Sequence, residues 1–346
     1  MERVKIGISM GDPAGIGPEI IVKALALPKV RELCVPLVVG DVSVIERAVK
    51  LTGSGMKAVE LTGIDEMERI DRDGVIPVWG LPRGKAEDYP VGVVSEKSGE
   101  AAFSSVVKLI GLATEGSIDA TVTAPINKEA MNLAGHHFAG HTEIYAEYTG
   151  TKSYAMMLAS GSLRVIHNST HVSLREACDL AKKERLLTTI RLADTALKDM
   201  GIKNPRIAVS GLNPHAGENG LFGKEEIEEM IPAIKQAKDE GINASGPYPP
   251  DSIFARAAGG AFDIVVAMYH DQGHIPIKTA GFVLNRETGL MESVSGVNIT
   301  LGLPIIRVSV DHGTAFDIAW KNVADEMSMV DSIEYAAAFA RKRRGI

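Results

Sequence analysis

The run VKIGISMGDPAGIGPE, residues 4–19, passes from a strand-like segment through a glycine-rich loop into a helix start. Pro18 stands where a missing backbone N–H costs nothing, in the first turn of the helix. Glycines 11, 15 and 17 let the backbone approach a ligand closely, and the helix N-terminus would favour an anion there. The spacing is not G-x-G-x-x-G, and no G-x-x-x-x-G-K-[ST] occurs, so neither the dinucleotide fingerprint nor a P-loop is present. Working outward, β-rich runs recur at Val35–Val39, Ala120–Thr123, Leu163–Ile166, Arg206–Val209, Asp263–Met268 and Ile305–Val310. Most have the unbroken Val/Ile character of strands buried on both faces. Helical patterns lie between them. Ser98 precedes an apolar stripe at Ala101, Ala102, Val106, Leu109, Ile110 and Ala113. Ser173 and Glu176 form an S-x-x-E capping box before a long helical run to Gly201. Lys224–Glu240 is acidic early and is closed by Gly241. Strands alternating with helices predict an α/β protein with a largely parallel sheet.

The 346 residues are 45% hydrophobic and 23% charged, an ordinary globular composition long enough for two compact units. A net charge of -7 argues against nucleic acid or an anionic membrane as partner, because both require clustered cations. The dense basic run Arg341–Arg344 reads as a solvated helix end. Cys34 and Cys178 cannot make a disulfide framework, and each is expected to act as a small buried hydrophobe. The N-terminus lacks a signal-peptide pattern and no apolar run would span a bilayer, which predicts a cytoplasmic protein. Loops at Thr123-Ala-Pro and at Gly246, Pro247, Pro249 and Pro250 are the candidate domain boundaries.

Histidine placement points to chemistry. His171, His215 and His270 each follow a strand candidate, in VIHNSTH, IAVSGLNPH and IVVAMYHDQGH. Ligands of open parallel sheets bind at the carboxyl ends of strands, so these side chains are placed to meet although 44 and 55 residues separate them. Three imidazoles there would suit a borderline divalent ion with open positions, and Asp251 and Asp271 are carboxylates near enough in sequence to complete or orient it. Around Thr123 the run TAPINKEAMNLAGHHFAGHTE brings Lys128, His141 and Thr142, a set suited to a phosphorylated or carboxylated small molecule. Lys278, Asn298 and Arg307 add two cations and an amide; Arg307 interrupts the apolar strand LPIIRVSV and needs either an anionic ligand or a structural acid. No G-x-S-x-G elbow or activated cysteine pairing supports covalent acyl chemistry.

The motifs GDPAGIGPE (11–19), TAPINKEA (123–130), GHTE (140–143), GLNPHAGE (211–218), MYHDQG (268–273) and VNITLGLPIIRVSVDHGTAFDIA (297–319) closely resemble those of the 4-hydroxythreonine-4-phosphate dehydrogenases, from end to end. The resemblance implies the two-domain α/β architecture related to isocitrate and isopropylmalate dehydrogenases, with helices on both sheet faces and the active site in a cleft between domains. Domains are then expected at 1–125 with 296–346, and at 126–295. It implies a homodimer with a shared active site, NAD (NADP being possible) and one divalent ion, Zn, Mg, Mn or Co. His171 and His215 would bind the metal from one subunit and His270 from the other. His141, Thr142, Lys278, Asn298 and Arg307 would bind substrate; Lys278, Asp251 and Asp271 would serve catalysis. The NAD contacts are not assigned, the first glycine-rich loop being a candidate.

Two features depart from the vitamin B6 branch, whose members usually read HDQGLP. This chain has HDQGHIP, and its HNSTHVSLREA segment resembles the branch acting on D-threonate or D-erythronate 4-phosphate. The stretch VLNRETGLMESVS, 283–295, looks inserted. The implied reaction is oxidative decarboxylation of a four-carbon 3-hydroxy acid 4-phosphate, giving dihydroxyacetone phosphate and carbon dioxide from the threonate or erythronate substrates. The alternatives are a cis-dihydrodiol dehydrogenase on the same scaffold and a metal-dependent lyase without redox chemistry.

Overall fold

A computed structural model describes residues 2–71, 74–81, 84–284, 291–294 and 296–346. Of the stretch 283–295, residues 285–290 and 295 lie outside those described. The strands in chain order are β1 (Val4–Ser9), β2 (Cys34–Gly40), β3 (Lys57–Glu60), β4 (Val75–Gly80), β5 (Ala120–Thr123), β6 (Ala155–Ser160) and β7 (Leu163–His167). They continue as β8 (Ile207–Ser210), β9 (Ala244–Tyr248), β10 (Ile264–Ala267), β11 (Phe282–Leu284), β12 (Met291–Val294), β13 (Val297–Leu301) and β14 (Arg307–Val310). The chain divides into two compact units. One holds the residues up to Thr151 with Glu292–Val297 and Leu303–Ile346; the other holds Lys152–Met291 with Asn298–Gly302.

The first unit orders its strands β3-β4-β2-β1-β5-β14, all parallel. The chain moves from β1 to β2 on one side and later places β5 on the other, so β1 and β5 flank the point where the winding reverses. Ligands of open α/β sheets gather outside the carboxyl ends at such a point. The strands are buried along their length, as their Val/Ile runs predict. The helix Glu96–Thr114 covers them with Val106, Leu109, Ile110 and Leu112. Its cap is Ser95, whose hydroxyl accepts from the Ser98 amide at 3.2 Å, so the helix is capped one turn before Ser98. Gly99 is required on this helix: a Cβ there would stand 2.0 Å from the Ala130 carbonyl oxygen of the helix Lys128–Leu133.

The second unit orders its strands β13-β6-β7-β10-β8-β9. Only the β6–β7 hairpin is antiparallel among its described pairs; β7, β10, β8 and β9 run parallel. Leu158, Val165, Ala208, Val265, Ile253, Phe254 and Ile277 form its core. The long helix expected from Ser173 to Gly201 is two helices, Leu174–Leu180 and Lys183–Asp199. Ser173 does cap the first, accepting from the Glu176 amide at 3.2 Å. The break at Ala181–Lys182 lets the second helix turn Leu186, Leu187, Ile190 and Leu197 onto the sheet while Leu174 and Leu180 stay exposed. Cys178 lies on the first helix and is exposed, unlike buried Cys34, which corrects the expectation that both are buried. The segment Lys224–Glu240 begins with a π-turn, Glu226–Met230, before the helix Ile231–Asp239. The largely parallel α/β class read from the sequence is the one observed, while β3, β4, β6, β9, β11, β12 and β13 lie outside the runs read from it.

Candidate functional site

In the second unit, His171, His270 and His215 sit on the loops leaving the carboxyl ends of β7, β10 and β8, three adjacent parallel strands. Hydrogen bonds brace these loops to one another. The Asn168 amide donates to the Ala267 carbonyl at 2.7 Å and the Ser169 hydroxyl to the Met268 carbonyl at 2.9 Å, joining the His171 loop to β10. Buried Gln272 accepts from the Met268 amide at 2.7 Å and donates to the Gly211 carbonyl at 2.8 Å, joining the His270 loop to the His215 loop. Its position two residues after His270 in HDQG is a signal that sequence reasoning passed over.

His270 starts the helix His270–Gly281, and its Nδ1 meets Asp271 Oδ1 at 2.6 Å. A carboxylate on one imidazole nitrogen leaves the other as the acceptor for a ligand. The His171 ring lies 5.8 Å from that of His270, centroid to centroid, and His274 stacks on His270 at 3.6 Å. Behind them His167 is fully buried, its ring 4.7 Å from His274; burial first, then the His274 charge, pushes its pKa down to about 3. It is a neutral core residue.

His215 has an unusual backbone. Residues 215–219 all adopt left-handed dihedrals, with φ of 54, 53, 80, 41 and 55°, and only Gly217 among them is glycine. Each non-glycine residue in that region costs about 1–2 kcal/mol, so the run persists only where its surroundings hold it. The ring of Phe222 lies 6.1 Å from that of His215. Asp251 is in the first turn of the helix Pro250–Ala258 and is exposed; Lys278 is in the last turn of His270–Gly281; Asn298 is on β13 and half-buried. Among the described residues, no group of three or more His, Cys, Asp or Glu is arranged to hold a metal ion.

In the first unit, loops from β1, β5 and β14 converge. The Asp12 amide donates to the Pro125 carbonyl at 2.9 Å and the Ile16 amide to the Thr314 carbonyl at 3.1 Å. Asp12 is fully buried; Oδ1 accepts from the Ala14 amide at 2.8 Å, and Oδ2 is buried with no hydrogen-bond partner. Burial raises its pKa to about 6 against the opposing bonds from Ala14 and Ser98.

Beside that junction is an electropositive cluster. Arg307 on β14 is buried, donates from Nη2 to the Thr123 hydroxyl at 3.1 Å and lies 5.7 Å over the Tyr145 ring. Desolvation lowers its pKa to about 10, opposed by Tyr145 and Glu143, so the guanidinium stays charged. His141 opens the nine-residue helix His141–Thr149, and buried Thr142 follows it. Burial, then Arg307 and Lys128, hold His141 well below the usual imidazole range, and its Nε2 is buried without a hydrogen-bond partner. A neutral imidazole beside two cations at a helix N-terminus is suited to an anionic group. The cluster brings together Lys128, His141, Thr142 and Arg307, all named from the sequence, and adds Tyr145.

Polar loops at the carboxyl ends of largely parallel strands, histidine-rich in one unit and electropositive in the other, are the arrangement of an α/β enzyme that handles small anionic molecules. Residues 32–336 match the family described as "Pyridoxal phosphate biosynthetic protein PdxA". The chain is 47% identical over 343 residues to the D-threonate 4-phosphate dehydrogenase of Salmonella typhimurium, covering 98% of this chain and 100% of that one. It is 46% identical over 336 residues to the D-threonate 4-phosphate dehydrogenase of Pectobacterium atrosepticum, covering 97% and 99%. The crystal structure of a 4-hydroxythreonine-4-phosphate dehydrogenase from Burkholderia phymatum superposes with a TM-score of 0.82 at 43% identity, covering 98% of this chain and 99% of that one. The chain belongs to the PdxA family, and it is a dehydrogenase.

Proposed function

We propose that the protein carries out oxidative decarboxylation of D-threonate or D-erythronate 4-phosphate, with NAD and a divalent ion, giving dihydroxyacetone phosphate and carbon dioxide. The observation that carries this reading is the cluster of Arg307, Lys128 and neutral His141 at the start of the helix His141–Thr149, which suits a phosphate dianion. The 47% identical D-threonate 4-phosphate dehydrogenase, matched along its full length, supports a four-carbon sugar-acid substrate.

His171, His215 and His270 would hold the ion, with Asp251 and Asp271 beside them. The donor set fits a borderline divalent cation, and the Asp271 contact at 2.6 Å already fixes the His270 ring. When bound, a nicotinamide would supply the hydride acceptor for C3, and an ion held by these histidines would supply a Lewis acid for the oxygen being oxidised. This chain's own groups do the remainder. Arg307, Lys128, His141 and Thr142 anchor the phosphate, Asn298 orients the sugar acid, and Asp251 or Asp271 takes the C3 hydroxyl proton. Oxidation gives a 3-keto acid; breaking its C1–C2 bond releases carbon dioxide and leaves charge on the enolate. Lys278 faces that charge, an electrostatic contribution worth a few kcal/mol, and C2 is then protonated.

The same reading includes a homodimer in which His270 comes from the partner. Its support is that the three histidine-bearing segments also carry exposed apolar residues: Leu174 (66%), Leu221 (72%), Phe222 (49%) and Ile275 (63%). Apolar surface gathered around polar ligand-binding groups is what a second copy would cover. No helix among the described residues is long and apolar enough to cross a membrane.

The test is absorbance at 340 nm with 4-hydroxythreonine, D-threonate and D-erythronate 4-phosphates and a cis-dihydrodiol, assayed with NAD and NADP in Mg, Mn, Co and Zn. NADH formation with a sugar-acid phosphate, together with dihydroxyacetone phosphate, is the expected result. Turnover without NAD would establish a lyase instead; turnover confined to the dihydrodiol would overturn the phosphate assignment.

A further inference from the structure

The left-handed run that carries His215 is held from outside by a single buried carboxyl group. Glu226 is 2% exposed and opens the π-turn Glu226–Met230. Its Oε1 accepts from the Leu212 amide at 2.8 Å and from the Asn213 amide at 2.7 Å, the two residues at the entrance to the loop. Its Oε2 accepts from Asn213 Nδ2 at 2.9 Å. A Cβ on Gly217 would stand 2.6 Å from that same Oε2, so the middle of the run is packed directly against the carboxyl group. Glu226 therefore touches the loop on both sides of His215.

We propose that Glu226 is the positioning residue for His215: it anchors residues 212, 213 and 217, and so the left-handed run 215–219 that presents this imidazole beyond the carboxyl end of β8. The physical argument is one of compensation. Four non-glycine residues, His215, Ala216, Glu218 and Asn219, adopt a conformation that L-residues avoid, so a relaxed loop would leave it. Two backbone donors and an amide converging on one buried group tie the loop entrance, and losing that group would leave buried donors without a partner. Gly217 is the position where only a missing side chain lets the carboxyl group reach. The π-turn serves the same end, since such turns recur where a helix must present one side chain to a functional site. Gln272 braces the other side of this loop through the Gly211 carbonyl, but it acts before residue 212 and leaves residues 213–217 to Glu226.

This inference rests on the assignment of His215 as a metal ligand. Its test is Zn2+ binding by calorimetry to the full-length protein after chelator treatment, with no substrate present. The variants are E226A, E226Q and H215A, with the thermal midpoint of each metal-free protein measured alongside. E226A should bind Zn2+ roughly tenfold or more weakly, the range seen when groups orienting a metal ligand are removed. E226Q keeps one oxygen for the two backbone amides but turns an NH2 toward Asn213 Nδ2; it should show a smaller loss of affinity and a smaller drop in thermal midpoint than E226A, and it carries the test should E226A fail to fold. Wild-type affinity in E226Q and in any folded E226A, alongside lost affinity in H215A, would overturn the positioning role alone. Wild-type affinity in H215A would overturn the metal assignment and this inference with it.

Discussion

At the scale of single residues, what sets Asp12 apart is burial that outweighs its hydrogen bonds. Its carboxyl sits at the winding reversal of the first unit, fully buried, with Oδ2 facing no donor. Desolvation therefore outweighs the Ala14 and Ser98 bonds and raises the pKa from 3.8 to about 6. The native state then binds a proton more tightly than the unfolded chain between those values. The resulting stability is fully present below about 3.8 and is lost as pH climbs through about 6. The shift corresponds to about 3 kcal/mol. Chemical unfolding of the wild type and D12N from pH 4 to pH 8 should show the wild type losing stability relative to the variant as pH rises. Parallel curves would mean that Asp12 is solvated or partnered in solution.

At the scale of elements, β14 and the helix His141–Thr149 together make the anion cluster. Arg307 is the first residue of β14 and pairs in register with Thr121 of β5, which sets its guanidinium beside Thr123 at the strand end. An arginine in an all-buried strand needs such an element-level reason, and the Glu143 charge on the neighbouring helix offsets part of its desolvation. R307A should raise KM for the phosphorylated substrate about 10- to 150-fold, the value of charge-assisted hydrogen bonds lost from a buried site. R307K should not restore it, because a lysine lacks the planar fork. Removing this cation should also raise the His141 pKa toward the ordinary imidazole range, readable by NMR titration. An unchanged KM in R307A would separate this cluster from the phosphate.

At the scale of the whole molecule, the three candidate metal ligands follow adjacent strands of one unit, yet no three described side chains of one chain are arranged around an ion. In the proposed homodimer, His270 would come from the partner. The prediction is complementation: H270A mixed with the double variant H171A/H215A, each inactive alone, should recover roughly a quarter of wild-type activity once subunits exchange. Half of the randomly formed dimers are hybrids and each hybrid has one intact site. No recovery from hybrids confirmed by mass would place all three ligands in one chain.

The sequence by itself determined the α/β class, the parallel core strands and the positions of His171, His215 and His270 at strand ends, because unbroken Val/Ile runs and strand-to-loop transitions are local signals. Its long motifs also determined the family. It could not show that the helix after Ser173 breaks at Ala181, since that depends on which face the sheet accepts. Nor could it show that Cys178 is exposed, or that Gln272 braces two loops. Tertiary structure alone decided those points, and it alone turned residues 215–219 left-handed against their own preference. A buried carboxyl group eleven residues later, Glu226, accepts from the Leu212 and Asn213 amides, a pairing that the residue types around His215 do not signal.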